Sequence, residues 1–377
     1  MRIVLDKLHA PDAGWALYGK LRGGLCSVVQ IRPKETGVMG KKGDRILLAH
    51  GGGGQLSDEL IRHHILPRFK NDALAELADS AKLNFASKSI CFTTDSYVIK
   101  PLFFNGGDIG KLAVCGTIND LAVSGAVPAA LSLSLIIEEG FEFELLDKIL
   151  DSISETARQN DVDIVTGDIK TVEAGAADKI FINTAGIGTL PAGVDLGFNR
   201  ISTGDKIIIN GTIGDHGMTI ISQREGIKFQ STLKSDCASI AKLAQQLLEN
   251  RKRVKFMRDP TRGGLAATLN EICRASALSI EINEADIPIN PTVQAAADML
   301  GFDVLNIANE GKFVAIVSAG SADDCLNICK KNKLGKEASI IGEVVETRDM
   351  PTVEMTTKIG GKRIVQMPYG RELPRIC

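Results

Sequence analysis

Three aspartates stand inside or at the ends of strongly apolar segments, and they are the first candidates for chemistry in this chain. Asp95 follows a β-branched run in Thr-Thr-Asp-Ser, and Asp168 follows another in Thr-Gly-Asp. Asp120 is the single charged residue between Leu112 and Ile137. A carboxylate in such surroundings is costly unless it is paired, hydrogen-bonded or bound to a metal. Because Mg²⁺ binds carboxylates together with nucleotide phosphates, the set predicts a metal and phosphate site, with capping and buried hydrogen bonds as the structural alternative.

Two glycine-rich loops supply candidates for holding phosphate groups. Residues 50–55 read His-Gly-Gly-Gly-Gly-Gln between an apolar strand and a helical pattern, and residues 106–111 lead into a second helix. Backbone N–H groups at a helix N-terminus can bind phosphate oxygens. Neither loop has the spacing of the GxxxxGK[ST] phosphate motif. Each loop alone is therefore as well explained by a flexible turn as by a phosphate site.

The final cysteine is a candidate nucleophile. A tail can carry the Cys377 thiol into a pocket, and the cation of Arg375 favours the thiolate, while Pro374 stiffens the segment before it. A terminal cysteine without a reaction is the alternative. Lys170 and Glu310 both adjoin glycine-bearing segments of the kind that line sites, and each could equally be a surface residue.

The composition places these residues in an ordinary globular chain of 377 residues. Hydrophobic residues make up 44% and charged residues 24%, which excludes wholesale disorder and suits two or three domains. With a net charge of −2 and 5% aromatics, nothing points to a polyanion binder or a base-stacking platform. We find no secretory leader, no membrane-length apolar run and no CxxC pair among the eight cysteines, as expected for reduced thiols in the cytoplasm.

The elements that must position the candidates alternate between strands and helices, which predicts the fold class α/β (α+β). Helices are predicted at 110–124, with Asp108 as the N-cap, and at 143–159. Strands are predicted at 89–99, interrupted at Asp95, and at 162–165, ending before Asp168. A second unit of strands and helices opens at residue 201, so a boundary is predicted near 190–198.

Residues 1–43 differ from the rest because they carry eight Lys or Arg and three Asp or Glu. They are interpreted either as an extension, with translation starting at Met39 as one possibility, or as a basic arm that contacts a partner.

Several motifs together resemble the AIR synthetase-related ATP-binding superfamily. They are TTDS at 93–96, GGDIGKLAVCGTINDLAVSGA at 106–126, TGD at 166–168 and RDPTRGG at 258–264. The sequence is more closely similar to the HypE family, which matures [NiFe]-hydrogenases, on account of AHGGGGQ, FINTAGIG, GDHG, SQREG, ANEGK and above all the C-terminal PRIC. The resemblance covers residues 45–377 and leaves out residues 1–43.

The resemblance implies a two-domain AIR synthetase-like fold. Its N-terminal domain pairs with a twin to form a shared barrel across a homodimer, and ATP binds in a cleft near that interface. Four parts follow: an extension at 1–43, an ATP-binding and dimerisation domain at 44–195, a C-terminal α/β domain at 196–355, and a flexible tail at 356–377 that carries the terminal cysteine.

The resemblance also implies a reaction with ATP and Mg²⁺ as cofactors. A separate carbamoyltransferase places a carbamoyl group on Cys377, ATP phosphorylates the carbamoyl oxygen, and loss of phosphate leaves an S-cyanate whose cyanide passes to iron on a scaffold complex. Either Lys170 or Glu310 is implied as the base that removes the amide protons. The implied metal ligands are Asp95, Asp120 and Asp168. The residues implied around the nucleotide are His50, Gly51, Gly52, Gly53, Gly54, Asp108, Lys111 and Asn119.

Two other functions are compatible with the same sequence. One keeps the fold but acts as a kinase or an amidine-forming ligase on a small metabolite, and it would not need Cys377. The other is a non-enzymatic carrier that binds nucleotide and only holds the carbamoyl group. Turnover of ATP that depends on a carbamoylated Cys377 distinguishes the dehydratase from both.

Overall fold

A computed structural model describes residues 45–47, 50, 59–71, 85, 89–226, 233–249 and 253–368. The chain divides into two compact units, Met1–Asp44 and Arg45–Cys377, and every described residue lies in the second. Its strands and helices mix throughout, which confirms the predicted α/β (α+β) class. A short π-helix spans Ile61–Ile65. The α-helices are α1 (Ile109–Val123), α2 (Phe143–Gln159), α3 (Asp215–Arg224), α4 (Ala241–Leu248), α5 (Gly264–Ser276), α6 (Pro291–Leu300) and α7 (Ala322–Lys331).

The first half of the described chain forms a four-stranded sheet. Its order is β1-β6-β4-β5, with β4 and β5 parallel and the other neighbours antiparallel. Helix α1 packs against one face of this sheet, and α2 packs against α1. The opposite face, which we call the outer face, presents the exposed side chains of Ile90, Phe92 and Ile136. The first strands are β1 (Ile90–Tyr97), β2 (Phe103–Phe104), β3 (Gly107–Asp108), β4 (Val127–Glu138), β5 (Asp163–Val172) and β6 (Ile180–Thr189).

Helix α1 is apolar around most of its circumference because it lies between the sheet and other elements. Asp108 caps it as predicted, since Oδ1 accepts hydrogen bonds from the N–H groups of Gly110 and Lys111 at 2.8 and 3.2 Å. Close contact with β1 requires a glycine at 116, because a Cβ there would lie 2.3 Å from the Tyr97 hydroxyl. The cap and this contact fix where α1 begins and how it sits on β1.

The second half forms a seven-stranded sheet of order β13-β12-β9-β11-β7-β10-β8, in which the β12–β9 pair is parallel. Strand β10 (Val314–Val317) lies at 0% exposure along its whole length. Such an uninterrupted apolar run suits a strand that is covered on both faces. The remaining strands are β7 (Lys206–Ile209), β8 (Val254–Arg258), β9 (Ser279–Asn283), β11 (Ser339–Val345), β12 (Val353–Thr356) and β13 (Lys362–Ile364).

Two predicted strand ends were wrong. Strand β1 continues through Asp95, which pairs with Thr184, and β5 continues through Asp168, which pairs with Ser134. Polar residues do not end a strand when their backbone groups stay in the ladder and their side chains reach solvent or another polar group. The aspartates that suggested loop positions therefore lie on strands.

The predicted domain division stays a prediction, because residues 45–377 form a single compact unit. The four-stranded sheet lies before the predicted boundary at 195/196 and the seven-stranded sheet lies after it. Strand β13 falls inside the stretch predicted as tail at 356–377, so the sheet extends to Ile364. No helix among the described residues is both long enough and apolar enough to cross a bilayer.

Candidate active site

Three carboxylates from separate elements form what we call the acidic cluster: Asp95, Asp120 and Asp259. Asp95 lies on β1, on the face that packs against α1. Asp120 lies near the C-terminal end of α1, and Asp259 directly follows β8. Oγ1 of Thr93 donates a hydrogen bond of 2.9 Å to Oδ2 of Asp120. The cluster thus joins the two halves of the described chain.

Burial and mutual repulsion make the acidic cluster unfavourable in its fully ionised form. Burial is the main cause that raises the pKa of Asp120, and the charge of Asp95 adds to it, whereas Thr93 and Arg258 act in the opposite direction. Burial, followed by the charge of Asp120, raises the pKa of Asp259 to about 7. A cation placed among these groups would relieve both effects.

The acidic cluster fits Mg²⁺ that arrives with a nucleotide. In the part of the chain that the structure describes, no group of three or more His, Cys, Asp or Glu residues is arranged to hold a metal by itself. Mg²⁺ does not need such a cage, because it commonly takes one or two carboxylates and fills its shell with water and phosphate oxygens. Buried carboxylates with raised pKa values are donors of that kind.

A cavity of about 340 Å³ opens beside the cluster. Its lining combines Asp120, Arg258 and Asp259 with the aromatic rings of Phe198 and Phe256, whose centroids lie 4.3 Å apart. Arg262, on the loop after Asp259, is exposed and brings a guanidinium nitrogen to 3.9 Å from Oδ1 of Asp95. An apolar lining with acidic and basic groups suits a ligand that has a flat ring and charged groups.

Two of the predicted nucleotide contacts, Asp108 and Asn119, have hydrogen-bond partners within the protein, and their contact with nucleotide stays a prediction. Oδ1 of Asp108 caps α1, and its Oδ2 accepts a hydrogen bond of 2.6 Å from Ser152. Asn119 is fully buried, and its amide donates to the carbonyls of Ala238 and Glu310 at 3.0 and 2.8 Å. Their hydrogen-bonding capacity is largely used within the protein, so both orient α1.

Lys111 and His50, two further predicted nucleotide contacts, do not line the cavity beside the acidic cluster. The Lys111 ammonium donates to the Gly106 carbonyl at 2.8 Å and is exposed, so it remains available to a phosphate. The His50 ring contacts Phe143 edge to face, with centroids 5.5 Å apart. Gly51, Gly52, Gly53 and Gly54 lie outside the described residues, so the phosphate loop stays a prediction.

Asp168 and Lys170 are not brought to the acidic cluster within one chain. Both lie on β5, and the Lys170 ammonium contacts Oδ1 and Oδ2 of Asp168 at 2.6 and 2.7 Å. Strand β5 is at the opposite edge of the sheet from β1, about 14 Å away at the usual strand spacing. Lys170 pairs in register with the exposed Ile136, which places this ion pair on the outer face.

Glu310 is brought towards the cluster and is 3% exposed. Among the described residues, no donor to its carboxyl oxygens is found. Burial is the main cause that raises its pKa well above the usual value. The negative charges of Asp236, Asp259 and Asp95 raise the pKa further, in decreasing order of effect. A buried carboxyl whose pKa is raised is a candidate for proton transfer.

The described chain ends beside the same site, at Pro368. A Cβ on Gly263 would lie 3.4 Å from Cγ of Pro368, and Gly263 belongs to the loop that carries Asp259 and Arg262. Cys377 itself lies outside the described residues. The tail therefore leaves the folded part next to the loop that contributes to the acidic cluster.

Asp259 was not among the predicted site residues, although it carries the same signal as Asp95, an aspartate next to an apolar strand. Its position in Arg-Asp-Pro-Thr-Arg-Gly-Gly could have identified it. Asp236 and Lys312, which contact the Glu310 turn, were also missed. Lys312 closes the ANEGK motif, but no local sequence signal marks its pairing with Asp236, because the pair forms between distant segments.

Comparisons with known proteins agree with this architecture. The model of the AIR synthase related protein N-terminal domain matches residues 77–190, and that of the C-terminal domain matches residues 202–352. The chain is 45% identical to the carbamoyl dehydratase HypE of Escherichia coli (strain K12) over 339 residues, which cover 89% of this chain and 100% of the relative.

Two solved structures are similar to the whole described unit. One is the hydrogenase maturation protein HypE in complex with ATP, at a TM-score of 0.85 and 41% identity, covering 88% of this chain and 99% of that one. The other is a HypE–HypF complex, at a TM-score of 0.72 and 44% identity, covering 82% and 99%. The chain therefore belongs to the HypE family of carbamoyl dehydratases, which act in hydrogenase maturation.

Proposed function

We propose that this carbamoyl dehydratase acts on its own C-terminal residue, converting an S-carbamoyl group on Cys377 into an S-cyanate with ATP and Mg²⁺. The product supplies the cyanide ligands for the iron of [NiFe]-hydrogenase. The observation that carries the proposal is the exit of the tail at Pro368, beside the loop that holds Asp259. Nine residues follow Pro368 in the sequence and end with Cys377, and when extended they span up to about 30 Å. The thiol can therefore reach the acidic cluster.

We assign the nucleotide to the cavity beside the acidic cluster. A HypE relative has been solved with ATP, and the cavity offers aromatic rings for the base and a cluster of carboxylates on the same wall. Mg²⁺, when bound, would be held by one or two carboxylates of the acidic cluster together with phosphate oxygens and water, and would screen the phosphate charges. Arg262 and Lys111 are the described cations placed to bind phosphate oxygens. Asp259 takes the role that the sequence assigned to Asp168.

The reaction divides into phosphoryl transfer and elimination. The carbamoyl oxygen attacks the γ-phosphorus of ATP, the bond to the β-phosphate oxygen breaks, and ADP leaves. The phosphorylated intermediate carries two protons on its nitrogen and releases the first to solvent, which leaves a neutral imidate. A base then takes the second proton, the electrons of that N–H bond form the third carbon–nitrogen bond, and the carbon–oxygen bond breaks so that its electron pair leaves with phosphate and a nitrile remains on sulfur. The amide oxygen is a poor leaving group, and phosphorylation makes it a good one.

We assign the base in this step to Glu310. It is buried, it lies near the acidic cluster, and its carboxyl oxygens have no donor among the described residues. A base with a raised pKa accepts a proton more readily than an ordinary carboxylate does. Lys170 lies on the outer face, where a second copy of the chain is needed to bring it to a reacting group.

The outer face supports a homodimer. Ile90, Phe92 and Ile136 are 53, 68 and 40% exposed on one surface of a sheet whose edge strands β1 and β5 have no further neighbour among the described strands. Such a face and such edges are commonly covered by another sheet. We propose that the outer faces of two copies form the shared barrel and that Lys170 acts at this interface.

The partners follow from the chemistry of the tail. Cys377 must receive its carbamoyl group from a carbamoyltransferase, and a HypE relative has been solved in complex with HypF. The iron-binding scaffold that accepts the cyanide and the cytoplasmic location remain predictions. A nine-residue tail lets one thiol visit these partners and the acidic cluster in turn.

The test follows the mass of the C-terminal peptide. The protein is carbamoylated by the carbamoyltransferase, freed of nucleotide and then given ATP and Mg²⁺. We expect the adduct on Cys377 to lose one water only when ATP is present, and Cys377→Ala to bind ATP normally without any adduct. An adduct that keeps its mass while ATP is present would support the carrier function. ATP turnover on a small metabolite by Cys377→Ala would support the kinase or ligase.

A further inference from the structure

A buried ion pair between Asp236 and Lys312 lies next to the backbone of Glu310. Oδ2 of Asp236 and Nζ of Lys312 are 3.0 Å apart, and their side chains are only 5 and 9% exposed. Asp236 lies in the segment 233–240, which runs between α1 and the turn that carries Glu310. Most other ion pairs of the described chain are substantially exposed, so this one is unusual in its burial.

The ion pair is connected to the backbone of the Glu310 turn. Oδ1 of Asp236 accepts a hydrogen bond of 3.2 Å from the N–H of Glu310. The next residue must be glycine, because a Cβ on Gly311 would lie 2.1 Å from the backbone oxygen of Asp236. Two independent contacts therefore hold the turn against segment 233–240 on both sides of Glu310.

Helix α1 is fixed to the same turn by Asn119. Its side-chain amide donates to the carbonyl of Glu310 at 2.8 Å, and its oxygen accepts from the N–H of Ile240 at 2.9 Å. Since α1 also carries Asp120, the acidic cluster and the backbone of Glu310 are linked through one helix. The position of the Glu310 carboxyl relative to the cluster depends on these links.

The positive charge of Lys312 balances the negative charge of the Asp236 carboxylate. No well-aligned donor reaches its Oδ2 among the described residues, so the ammonium 3.0 Å away compensates a buried carboxylate. The stem of Lys312 passes Gly211, where a Cβ would come within 3.2 Å of its Cε. Removing either partner leaves a buried charge uncompensated.

We propose that Asp236, anchored by Lys312, is a positioning residue that holds the backbone of Glu310 so that its carboxyl meets the carbamoyl group on Cys377. The inference rests on the proposed function, because it concerns the base of that reaction. Asp236 need not touch the substrate, since its contact is with the N–H of Glu310. Its effect is therefore on the rate of dehydration and not on the binding of ATP.

The chain contains a matched control for this pair. Asp205 is buried, lies 2.8 Å from the ammonium of Lys255, and accepts a hydrogen bond of 2.7 Å from the N–H of Ser202. Both aspartates thus combine a buried ion pair with a backbone hydrogen bond in the second half of the chain. Asp205 has no contact with the Glu310 turn among the described contacts.

The experiment measures the single-turnover rate of water loss from S-carbamoyl Cys377 in full-length variants. Asp236→Ala is expected to slow dehydration by about ten- to a hundredfold, because misplacing a reacting group by about 1 Å has effects of that size, while the KM for ATP stays within about twofold. Asp236→Asn keeps an oxygen acceptor for the N–H of Glu310 but leaves the charge of Lys312 uncompensated, so it is expected to recover part of the rate. Asp205→Ala is expected to lose comparable thermal stability and to keep the wild-type rate.

Non-additivity supplies a second readout. In a Glu310→Gln background, Asp236→Ala should cause little further loss, because residues that act through one another do not add. If Asp236→Ala does not fold, Lys312→Met tests the same link and is expected to slow dehydration by about tenfold.

Two results would overturn the inference, and they are distinguishable. If wild-type protein dehydrates its tail but the Asp236 and Asp205 variants lose rate equally, or lose ATP binding instead, Asp236 is merely structural. If wild-type protein itself never loses water from the adduct, the proposed function fails and this inference fails with it.

Discussion

The acidic cluster and the Asp168–Lys170 pair are built on the same residue type, aspartate, and differ in burial and in charge compensation. Asp120 and Asp259 are buried, and burial is the main cause that raises their pKa values. Asp168 is exposed on the outer face and has an ammonium 2.6 Å from its oxygen. The comparison teaches that a carboxylate prepared for a cation is one that the fold has left without a compensating charge, whereas the surface pair is already neutral.

The largest expected effect comes from removing a charge from the cluster. Asp259→Asn should lower turnover by about a hundredfold or more, because loss of one group that stabilises phosphoryl transfer has effects of that order. Asp168→Asn should leave the affinity for Mg²⁺-ATP within about twofold, because the pair lies on the opposite edge of the sheet. Turnover and calorimetric ATP binding of the two variants check the comparison, and equal losses of ATP affinity would contradict it.

The second expected effect concerns the outer face. Ile136→Glu should give monomers and slow dehydration by about tenfold or more, because a buried charge opposes the packing of two apolar faces. ATP binding should persist, since the acidic cluster lies within one chain. Light scattering and the peptide-mass assay measure both, and Lys170→Met combined with Ile136→Glu should be no worse than the poorer single variant. A monomer with full dehydration activity would remove the outer face and Lys170 from the mechanism.

A smaller effect is expected at the edge of the cluster. Asp120→Asn should weaken binding of Mg²⁺-ATP by about tenfold, because one carboxylate of the metal site becomes neutral. Binding of ATP in the presence of EDTA should change little, which separates the metal from the base and ribose contacts. An unchanged affinity in Mg²⁺ would return Asp120 to a purely structural role, in which Thr93 satisfies it.

The smallest effect is on stability, and it is expected in the acidic cluster but not in the Asp168–Lys170 pair. The pKa of Asp259 is raised to about 7 in the fold, so the folded state binds more protons than the unfolded state between about pH 4 and 7, and stability falls as the pH rises through this window. Asp259→Asn should therefore raise the Tm of the nucleotide-free protein at pH 8 by about 1–3 °C, with less difference at pH 4.5. Asp168→Asn should show no such gain in Tm. Thermal melts of both variants at both pH values measure the difference, and equal Tm changes would contradict it.

Much of the local structure was readable from the residues. The cap at Asp108 predicted the start of α1, and apolar spacing predicted α2 at Phe143–Gln159 with its observed bounds. The strand ends at Asp95 and Asp168 were misjudged, because the sequence shows a polar residue but not the ladder partner that keeps it in the sheet. Local signals are reliable where the stabilising contacts are themselves local.

Only some of the residues of the site could be predicted from the sequence. Three aspartates with similar surroundings suggested one set, yet only Asp95 and Asp120 come together, and Asp259 completes the cluster from a distant strand. The resemblance implied Glu310 as a candidate base, and the structure places it near this cluster, whereas Asp236, which contacts its backbone, belongs to none of the motifs. Residues that act by contact across the fold leave no periodic or compositional signal.

The sequence by itself determined the α/β class, the helix caps, the reactive residue types and the family, because these depend on spacing, propensity and long shared motifs. The tertiary structure alone decided which carboxylates share a cavity, that Asp108 and Asn119 are occupied by structural partners, and that Pro368 delivers the tail beside Asp259. The reason is physical: burial and charge interactions depend on distances between segments far apart in the chain, and those distances exist only once the fold has formed.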